Sequence, residues 1–115
     1  MVVPGFSPPK GLVAASSRPL VLAVLARRGD NYGYALLREV EQLSGGALAW
    51  QEGMLYPVLH RLEREGLIES DWRVAENGKR RKYYAITKKG LDALAGERAA
   101  WEAVDVTLRN AWGTI

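Results

Sequence analysis

The spacing of the apolar residues changes at Gly66, and this change constrains the fold more than any other feature of the chain. Before that glycine, apolar side chains recur every three or four residues, which is typical of helices. After it, apolar and charged residues alternate through the segment 68–74, as in a strand with one apolar side. The dipeptide Asn77-Gly78 favours a type I′ turn, so we expect a hairpin with a second strand after it.

Two helices are predicted in the first half of the chain. The first follows Ser16 and Ser17, which suit a helix N-terminus, and it tolerates Pro19 in its first turn. It is apolar on nearly every side, so we expect it to be packed between other elements. The second helix begins at Asp30 or Asn31, either of which can cap it.

A third helix is predicted from about Gln51 to the glycine at 66, and a last helix after Thr87, which is a good N-cap. The last helix carries an apolar stripe: Leu91, Leu94, Trp101, Val104, Leu108 and Trp112. A long apolar stripe without a partner in the same chain indicates dimerisation, and we expect Leu91, Leu94, Trp101 and Leu108 at the dimer interface.

The order is three helices, a two-stranded hairpin and a helix, which predicts a mostly α-helical chain with a small β hairpin. This is the arrangement of a winged helix-turn-helix followed by a C-terminal dimerisation helix. We divide the chain into a flexible N-terminal tail (1–10), a winged helix-turn-helix domain (11–87) and a dimerisation helix (88–115). Hydrophobic residues make up 48% of the chain, enough for a packed core.

Composition excludes several classes of function. The chain has no cysteine and one histidine, so a disulfide framework, a thiolate metal site and a His-rich metal site are ruled out. Nothing resembles a catalytic triad or a glycine-rich phosphate loop, so we expect neither an enzyme nor a cofactor. The longest apolar run is too short to span a membrane, and the N-terminus lacks the pattern of a signal peptide. We therefore expect a cytoplasmic protein.

The third helix is unusual because a glycine and a proline, both of which weaken helices, lie on the line opposite its buried side. That outward line holds Gly53, Pro57, His60 and Arg64, with Arg61 beside it and Met54 and Tyr56 on its flanks. No acidic residue lies on it. A small helix surface lets the backbone approach phosphates, and the helix dipole favours an anion there. We therefore predict that this helix enters a DNA groove; the alternative is that the two residues merely kink a surface helix.

The predicted hairpin has a basic tip. Between positions 79 and 89 there are six basic residues and no acidic one. Four of them, Lys79, Arg80, Arg81 and Lys82, would lie along the phosphates or the minor groove beside the third helix. The competing hypothesis is a winged helix that binds only protein, which predicts an apolar or acidic third helix instead.

Three segments together resemble the PadR family of bacterial transcriptional regulators: YGYALLREV (32–40), GMLYPVLHRLEREGLIES (53–70) and GKRRKYYAITKKG (78–90). The single short final helix is similar to the compact subfamily. The resemblance implies a homodimeric repressor that binds double-stranded DNA at inverted-repeat operators and is released by a small effector.

The resemblance also assigns roles to single residues. Tyr32 and Tyr34 match tyrosines of the second helix near the phosphates, and Tyr84 and Thr87 match positions that we interpret as structural. Met54 departs from the family, many of whose members have a small hydroxyl residue there; a thioether cannot donate a hydrogen bond to a base or phosphate.

The segment AAWEAVD (99–105) resembles the multidrug-binding branch of the same family. This implies that Trp101 stacks a planar aromatic effector at the dimer interface, with Val104 and Asp105 on the next turn and the carboxylate offsetting a positive charge. The alternative is that Trp101 is ordinary interface packing. We interpret Trp50 and Trp72 as packing residues.

Overall fold

The computed structural model describes residues 6–113, which form four α-helices and a three-stranded antiparallel sheet. The helices are α1 (Lys10–Arg28), α2 (Gly33–Leu43), α3 (Glu52–Arg64) and α4 (Lys88–Trp112), and the strands are β1 (Asn31–Tyr32), β2 (Ile68–Val74) and β3 (Arg80–Ile86). Strand β3 lies in the centre of the sheet, between β1 and β2. The predicted fold class is confirmed. Half of the predicted tail, residues 1–5, lies outside the described part of the chain.

The core lies where α1, α2 and α3 meet the base of the sheet. Its most buried members are Val21, Leu22, Val24, Leu25, Leu36, Val40, Leu55, Leu59, Leu62, Ile68 and Tyr84. Each buried side chain of this kind stabilises the fold by about 1.5–3 kcal/mol relative to exposure. Trp50 is also buried, which confirms its predicted packing role.

Helix α1 is longer than predicted, since it begins at Lys10 rather than after the two serines. The hydroxyls of Ser16 and Ser17 donate to carbonyl oxygens three residues earlier, at 3.1 and 2.7 Å, so neither serine caps the helix. Ser17 is buried and Val13 is partly buried against the core, so the packed side of α1 continues N-terminal to Pro19. This tertiary contact outweighs the local start signal.

The start of α2 was also predicted wrongly. Asn31 and Tyr32 pair with β3 as a third strand, and the helix begins at Gly33. The carboxylate of Asp30 accepts a hydrogen bond from Arg73 on β2 instead of capping the helix. The sequence gives no local sign of this strand, because two residues are too few to show an alternating pattern. The strand is defined only by its pairing with β3.

The hairpin turn differs from the predicted type I′. The N–H of Gly78 donates to the carbonyl of Ala75 at 2.9 Å, and the N–H of Ala75 donates to the carbonyl of Lys79 at 2.8 Å. Gly78 has φ +81°, whereas Asn77 does not have a positive φ, so type I′ is excluded. The loop between the paired residues Ala75 and Lys79 has three residues. It consists of a type I turn over 75–78 with a glycine bulge at Gly78. Asn77 instead accepts the N–H of Lys79 through its side chain.

The outer half of the hairpin, residues 71–83, extends beyond the core and is called the wing below. Trp72 and Val74 lie on the same side of β2 as the buried Ile68, yet they are 59% and 70% exposed. The packing role predicted for Trp72 is therefore wrong. The alternation of apolar and polar residues shows on which side of a strand a residue lies. It does not show how far the sheet extends beyond the hydrophobic core.

The first turn of α4 is fixed to the base of the sheet. Thr87 caps the helix as predicted, accepting the N–H of Gly90 at 3.0 Å and donating to the carbonyl of Gly66 at 2.7 Å. A Cβ added to Gly90 would lie 2.1 Å from the carbonyl oxygen of Leu67. Among the described residues of α4, Gly90 alone is fully buried, so most of this helix extends away from the core.

Candidate nucleic-acid interface

Helix α3 exposes the side that the sequence predicts as its outward line. Gly53, Pro57, His60 and Arg64 are all exposed, as is Arg61. Apart from its chain neighbours and the backbone of its own helix, no described atom lies within 4 Å of the position that a Cβ on Gly53 would take. Intramolecular packing therefore does not require a glycine at this position.

Pro57 adds to the exposed backbone of α3. Its nitrogen has no hydrogen, so the helical bond that it would donate to the carbonyl of Gly53 is missing. The carbonyl that lacks this donor belongs to Gly53 itself, which also has no side chain, and Gly53 is exposed. This part of α3 is therefore narrow, which suits close approach by the backbone of a partner.

A cleft of about 540 Å³ separates α3 from the wing. Its walls come from the start of α2, from α3 and from both long strands: Tyr32, Gly33, Tyr34, Tyr56, His60, Trp72, Arg80, Arg81, Lys82 and Tyr84. The lining contains three basic and five aromatic side chains and no acidic one. The structure thus brings residues of α2, α3 and the wing, which are distant in sequence, into one concave surface.

Tyr56 is positioned in this cleft by Gly33. A Cβ on Gly33 would lie 2.6 Å from the hydroxyl oxygen of Tyr56 and 3.0 Å from its ring. The ring therefore rests directly on the first residue of α2. This role of Gly33 could not be predicted from the sequence, because nothing local indicates which side chain covers a glycine.

The arginines of the wing are supported by aromatic rings. The guanidinium of Arg80 lies 5.2 Å from the ring centre of Trp72, and that of Arg81 lies 4.3 Å from that of Tyr32. Stacking orients a guanidinium and leaves its N–H edge free to donate. Within residues 6–113, the ion pairs involve neither these arginines nor Lys79 at the tip.

Lys82 has different surroundings. Its Nζ lies 3.8 Å from a carboxylate oxygen of Glu63 and 5.6 Å from the ring centre of Tyr84. Glu63 also accepts a hydrogen bond from the hydroxyl of Ser70. Burial, and then the charges of Glu63 and Tyr56, raise the pKa of Tyr84. The helix pattern indicates that Glu63 lies near the buried edge of α3, but it does not reveal this link to the wing.

Met54 and Arg61 lie on the opposite side of α3 from the wing. They line a separate groove of about 500 Å³ together with Lys10 and Val13 of α1. Met54 is partly buried against the core. The residues predicted to contact DNA are therefore divided by α3 itself, with Tyr56 in the cleft and these two on the far side.

The C-terminal end of α3 is tied to both flanking helices through Arg18. This residue of α1 makes two hydrogen bonds of 2.8 Å to the carboxylate of Glu65 and one of 2.9 Å to Glu97 of α4. The hydrogen bond from Arg18 is the main reason that the pKa of Glu65 is lowered. The same bond raises the pKa of Arg18.

The residues predicted to bind an effector lie on the exposed part of α4. Trp101 lines an apolar groove of about 680 Å³ between α1 and α4, with Leu20 and Ala23 on the opposite wall. Val104 and Asp105 are exposed on the next turn and do not line this groove. The carboxylate of Asp105 accepts a hydrogen bond of 2.9 Å from Arg109.

The stripe predicted at the dimer interface is mostly exposed. Leu91, Trp101 and Leu108 remain accessible to solvent, whereas Leu94 is partly buried against the core. Across residues 6–113, no cluster of three potential metal-ligating side chains is present. None of the four described helices combines the length and the apolar composition that crossing a bilayer requires.

Comparison with known proteins gives one family. The profile of the transcriptional regulator PadR-like family matches residues 21–96. The transcriptional regulator Rv3488 of Mycobacterium tuberculosis is 42% identical over 83 residues, which cover 70% of this chain and 74% of that protein. A PadR family regulator from Eggerthella lenta superposes with a TM-score of 0.75 at 31% identity, covering 91% of this chain and 88% of the other. A PadR-like regulator from Bacillus cereus gives 0.79 at 28% identity, with coverages of 92% and 100%.

Proposed function

Because this chain belongs to the PadR-like family of transcriptional regulators, a family of regulators and not of enzymes, we propose that it is a homodimeric repressor of the cytoplasm that binds double-stranded DNA at an inverted-repeat operator. The observation that carries the proposal is the acid-free cleft between α3 and the wing. Residues 11–87 form the DNA-binding domain in this proposal, and residues 88–115 the dimerisation helix.

Helix α3 is the recognition helix of the proposed complex. Gly53 and Pro57 let its N-terminal half approach the DNA backbone, where the helix dipole favours phosphate. His60, Arg61 and Arg64 then reach base edges or phosphates from the exposed side. Tyr56, Tyr32 and Tyr34 contact the backbone on the side of the cleft, and Met54 supplies an apolar contact at most.

The wing supplies affinity that does not depend on sequence. Lys79, Arg80 and Arg81 contact phosphates, and the aromatic rings beneath the two arginines hold them ready for this contact. Each phosphate that is neutralised releases counterions, so binding weakens as salt rises, by about 0.9 in the log–log slope per contact.

The proposed dimer forms through α1 and α4. The groove between these helices is apolar and open, and the exposed stripe of α4 would fill its counterpart in a second copy. A twofold axis through this interface presents two recognition helices to two half-sites, which matches an inverted repeat.

An effector would bind where the two copies of Trp101 face one another. A flat aromatic molecule stacks on indole rings, and a ligand that favours one separation of the recognition helices changes the affinity for DNA. A cationic ligand would have to compete with Arg109 for the carboxylate of Asp105. Titration with planar dyes of either charge tests this: equal affinity of the parent and Trp101→Ala for cationic dyes would eliminate Trp101 as the platform.

The DNA-binding proposal is tested by fluorescence anisotropy of a labelled random duplex over a range of salt concentrations. We expect binding that weakens steeply with salt, and a smaller slope in Lys79→Ala, Arg80→Ala and Arg81→Ala. Footprinting upstream of the protein's own gene then locates an operator. Absence of salt-dependent binding would favour the competing hypothesis, a winged helix that binds only protein.

A further inference from the structure

Lys82 differs from the three basic residues before it, Lys79, Arg80 and Arg81, because its ammonium group has an ion-pair partner among the described residues. Its Nζ lies 3.8 Å from the carboxylate of Glu63, and the two side chains are only 32% and 34% exposed. Lys79 and Arg80, nearer the tip, are exposed and make no ion pair among the described residues. The positive charge of Lys82 therefore already has a negative counter-charge, that of Glu63, in the absence of DNA.

Glu63 is held in this position from a second direction. The hydroxyl of Ser70 on β2 donates to its other carboxylate oxygen. The strand register places Ser70 opposite Tyr84 of β3, and the ring of Tyr84 lies beside the ammonium of Lys82. One carboxylate on α3 thus contacts both long strands, β2 and β3, and its orientation does not depend on Lys82 alone.

We infer that Glu63 withholds Lys82 from the DNA backbone and thereby limits the part of DNA affinity that does not depend on sequence. This inference rests on the proposed function and revises the role predicted for Lys82. A lysine that contacts a phosphate steepens the salt dependence of binding by about 0.9 in the log–log slope. While it is paired with Glu63, Lys82 does not contribute that increment. Glu63 is a positioning residue, since it acts through Lys82 and does not itself contact DNA.

The experiment measures binding of the full chain to a random-sequence duplex over a range of salt concentrations. Glu63→Gln removes the charge but keeps an oxygen that can accept the hydrogen bond of Ser70. We expect the slope to steepen by about 0.9 and the affinity at about 0.1 M salt to rise roughly eightfold, the effect of one added phosphate contact. Glu63→Ala, which also removes the acceptor, should steepen the slope equally if both variants fold by circular dichroism.

Two lysine variants separate positioning from general electrostatics. Lys82→Met should leave the slope of the parent unchanged, but it should return the slope of Glu63→Gln to the parental value. Lys79→Met is the matched control, since it should reduce the slope by about 0.9 in either background.

Two other outcomes would contradict the inference or the proposed function. If Lys82→Met flattened the slope of the parent as much as Lys79→Met, and Glu63→Gln left it unchanged, Lys82 would be an ordinary phosphate contact and the inference would be overturned. If the parent bound the duplex without salt dependence and Lys79→Met had no effect, the proposed function itself would fail.

Discussion

Helices α3 and α4 each carry a glycine in the first turn, but the surroundings of the two glycines are opposite. A Cβ on Gly90 of α4 would lie 2.1 Å from the carbonyl oxygen of Leu67 and 2.7 Å from a side-chain carbon of Ile86. A Cβ on Gly53 of α3 would meet no described atom within 4 Å beyond its chain neighbours and the backbone of its own helix. The fold therefore explains the glycine in α4, whereas a glycine in α3 calls for an explanation outside the chain.

The same contrast holds for the rest of the two helices. Helix α3 buries Leu55, Leu59 and Leu62 and exposes a line of small and basic residues. Among its described residues, α4 fully buries only Gly90 and exposes large apolar side chains. A narrow, acid-free surface suits nucleic acid, and an apolar surface suits another protein. One helix is thus suited to meet DNA and the other to meet a second copy.

The largest expected effect is on stability, from Gly90→Ala. The added methyl group would overlap a backbone carbonyl that cannot move without disturbing the base of the sheet, so we expect a loss of about 3 kcal/mol, at the upper end of overpacking effects. Urea unfolding at fixed protein concentration measures it.

Gly96 provides the matched control in the same helix, because no described atom outside its chain neighbours and its own helix backbone lies within 4 Å of its added Cβ. Gly96→Ala should stabilise the protein by about 0.5–1 kcal/mol through helix propensity. If both variants changed stability in the same direction, the close contact at Gly90 would not be the cause of the difference.

The second effect is on DNA binding, from Gly53→Ala. We expect the fold to be retained, since the methyl group has room, but the affinity for DNA to fall about tenfold, or about 1.4 kcal/mol, because the methyl group occupies space that the DNA backbone needs. Unfolding and anisotropy measurements on the same sample separate the two quantities. Unchanged affinity for DNA would favour the alternative that the glycine and Pro57 only bend a surface helix.

The features that the sequence predicts correctly are those set by local chemistry. Thr87 caps α4 because its own hydroxyl reaches the N–H of Gly90, and the outward line of α3 follows from the helical period alone. The misses depend on partners distant in sequence. Ser17 lies inside α1 because it packs in the core. Trp72 is exposed because the hairpin extends beyond that core.

The candidate site shows the same division. The basic residues of the wing and the exposed residues of α3 were predicted individually, but the cleft that joins Tyr34 to them exists only after folding. The pairing of Glu63 with Lys82 was not predicted, because helix and strand periods give the side on which a residue lies and not the partner it meets there.

A smaller effect is expected from Gly33→Ala, because the new methyl group must displace the ring of Tyr56 from the cleft. We expect DNA affinity to fall about fivefold, roughly 1 kcal/mol. In a Tyr56→Ala background the same change should have almost no effect on DNA affinity, since contacting residues are not additive. Fully additive losses would show that Gly33 acts on DNA without the tyrosine.

The smallest effect concerns pH and the link between α3 and α4. The pKa of Glu65 is lowered from an ordinary value of 4.5, chiefly by the hydrogen bond from Arg18. A carboxyl whose pKa is lower in the folded state stabilises the fold above its unfolded pKa, and this contribution is lost as pH falls through the folded pKa. Stability should therefore decline below about pH 4.5, and Glu65→Gln should remove part of that decline. Because Glu65 is exposed, we expect a modest shift in the urea midpoint between pH 7 and acid.

Arg18→Met should flatten the pH profile of stability as much as Glu65→Gln does, and the double variant should add little to either single change. If Arg18→Met left the acid decline at its parental size, the ion pair would not be its source.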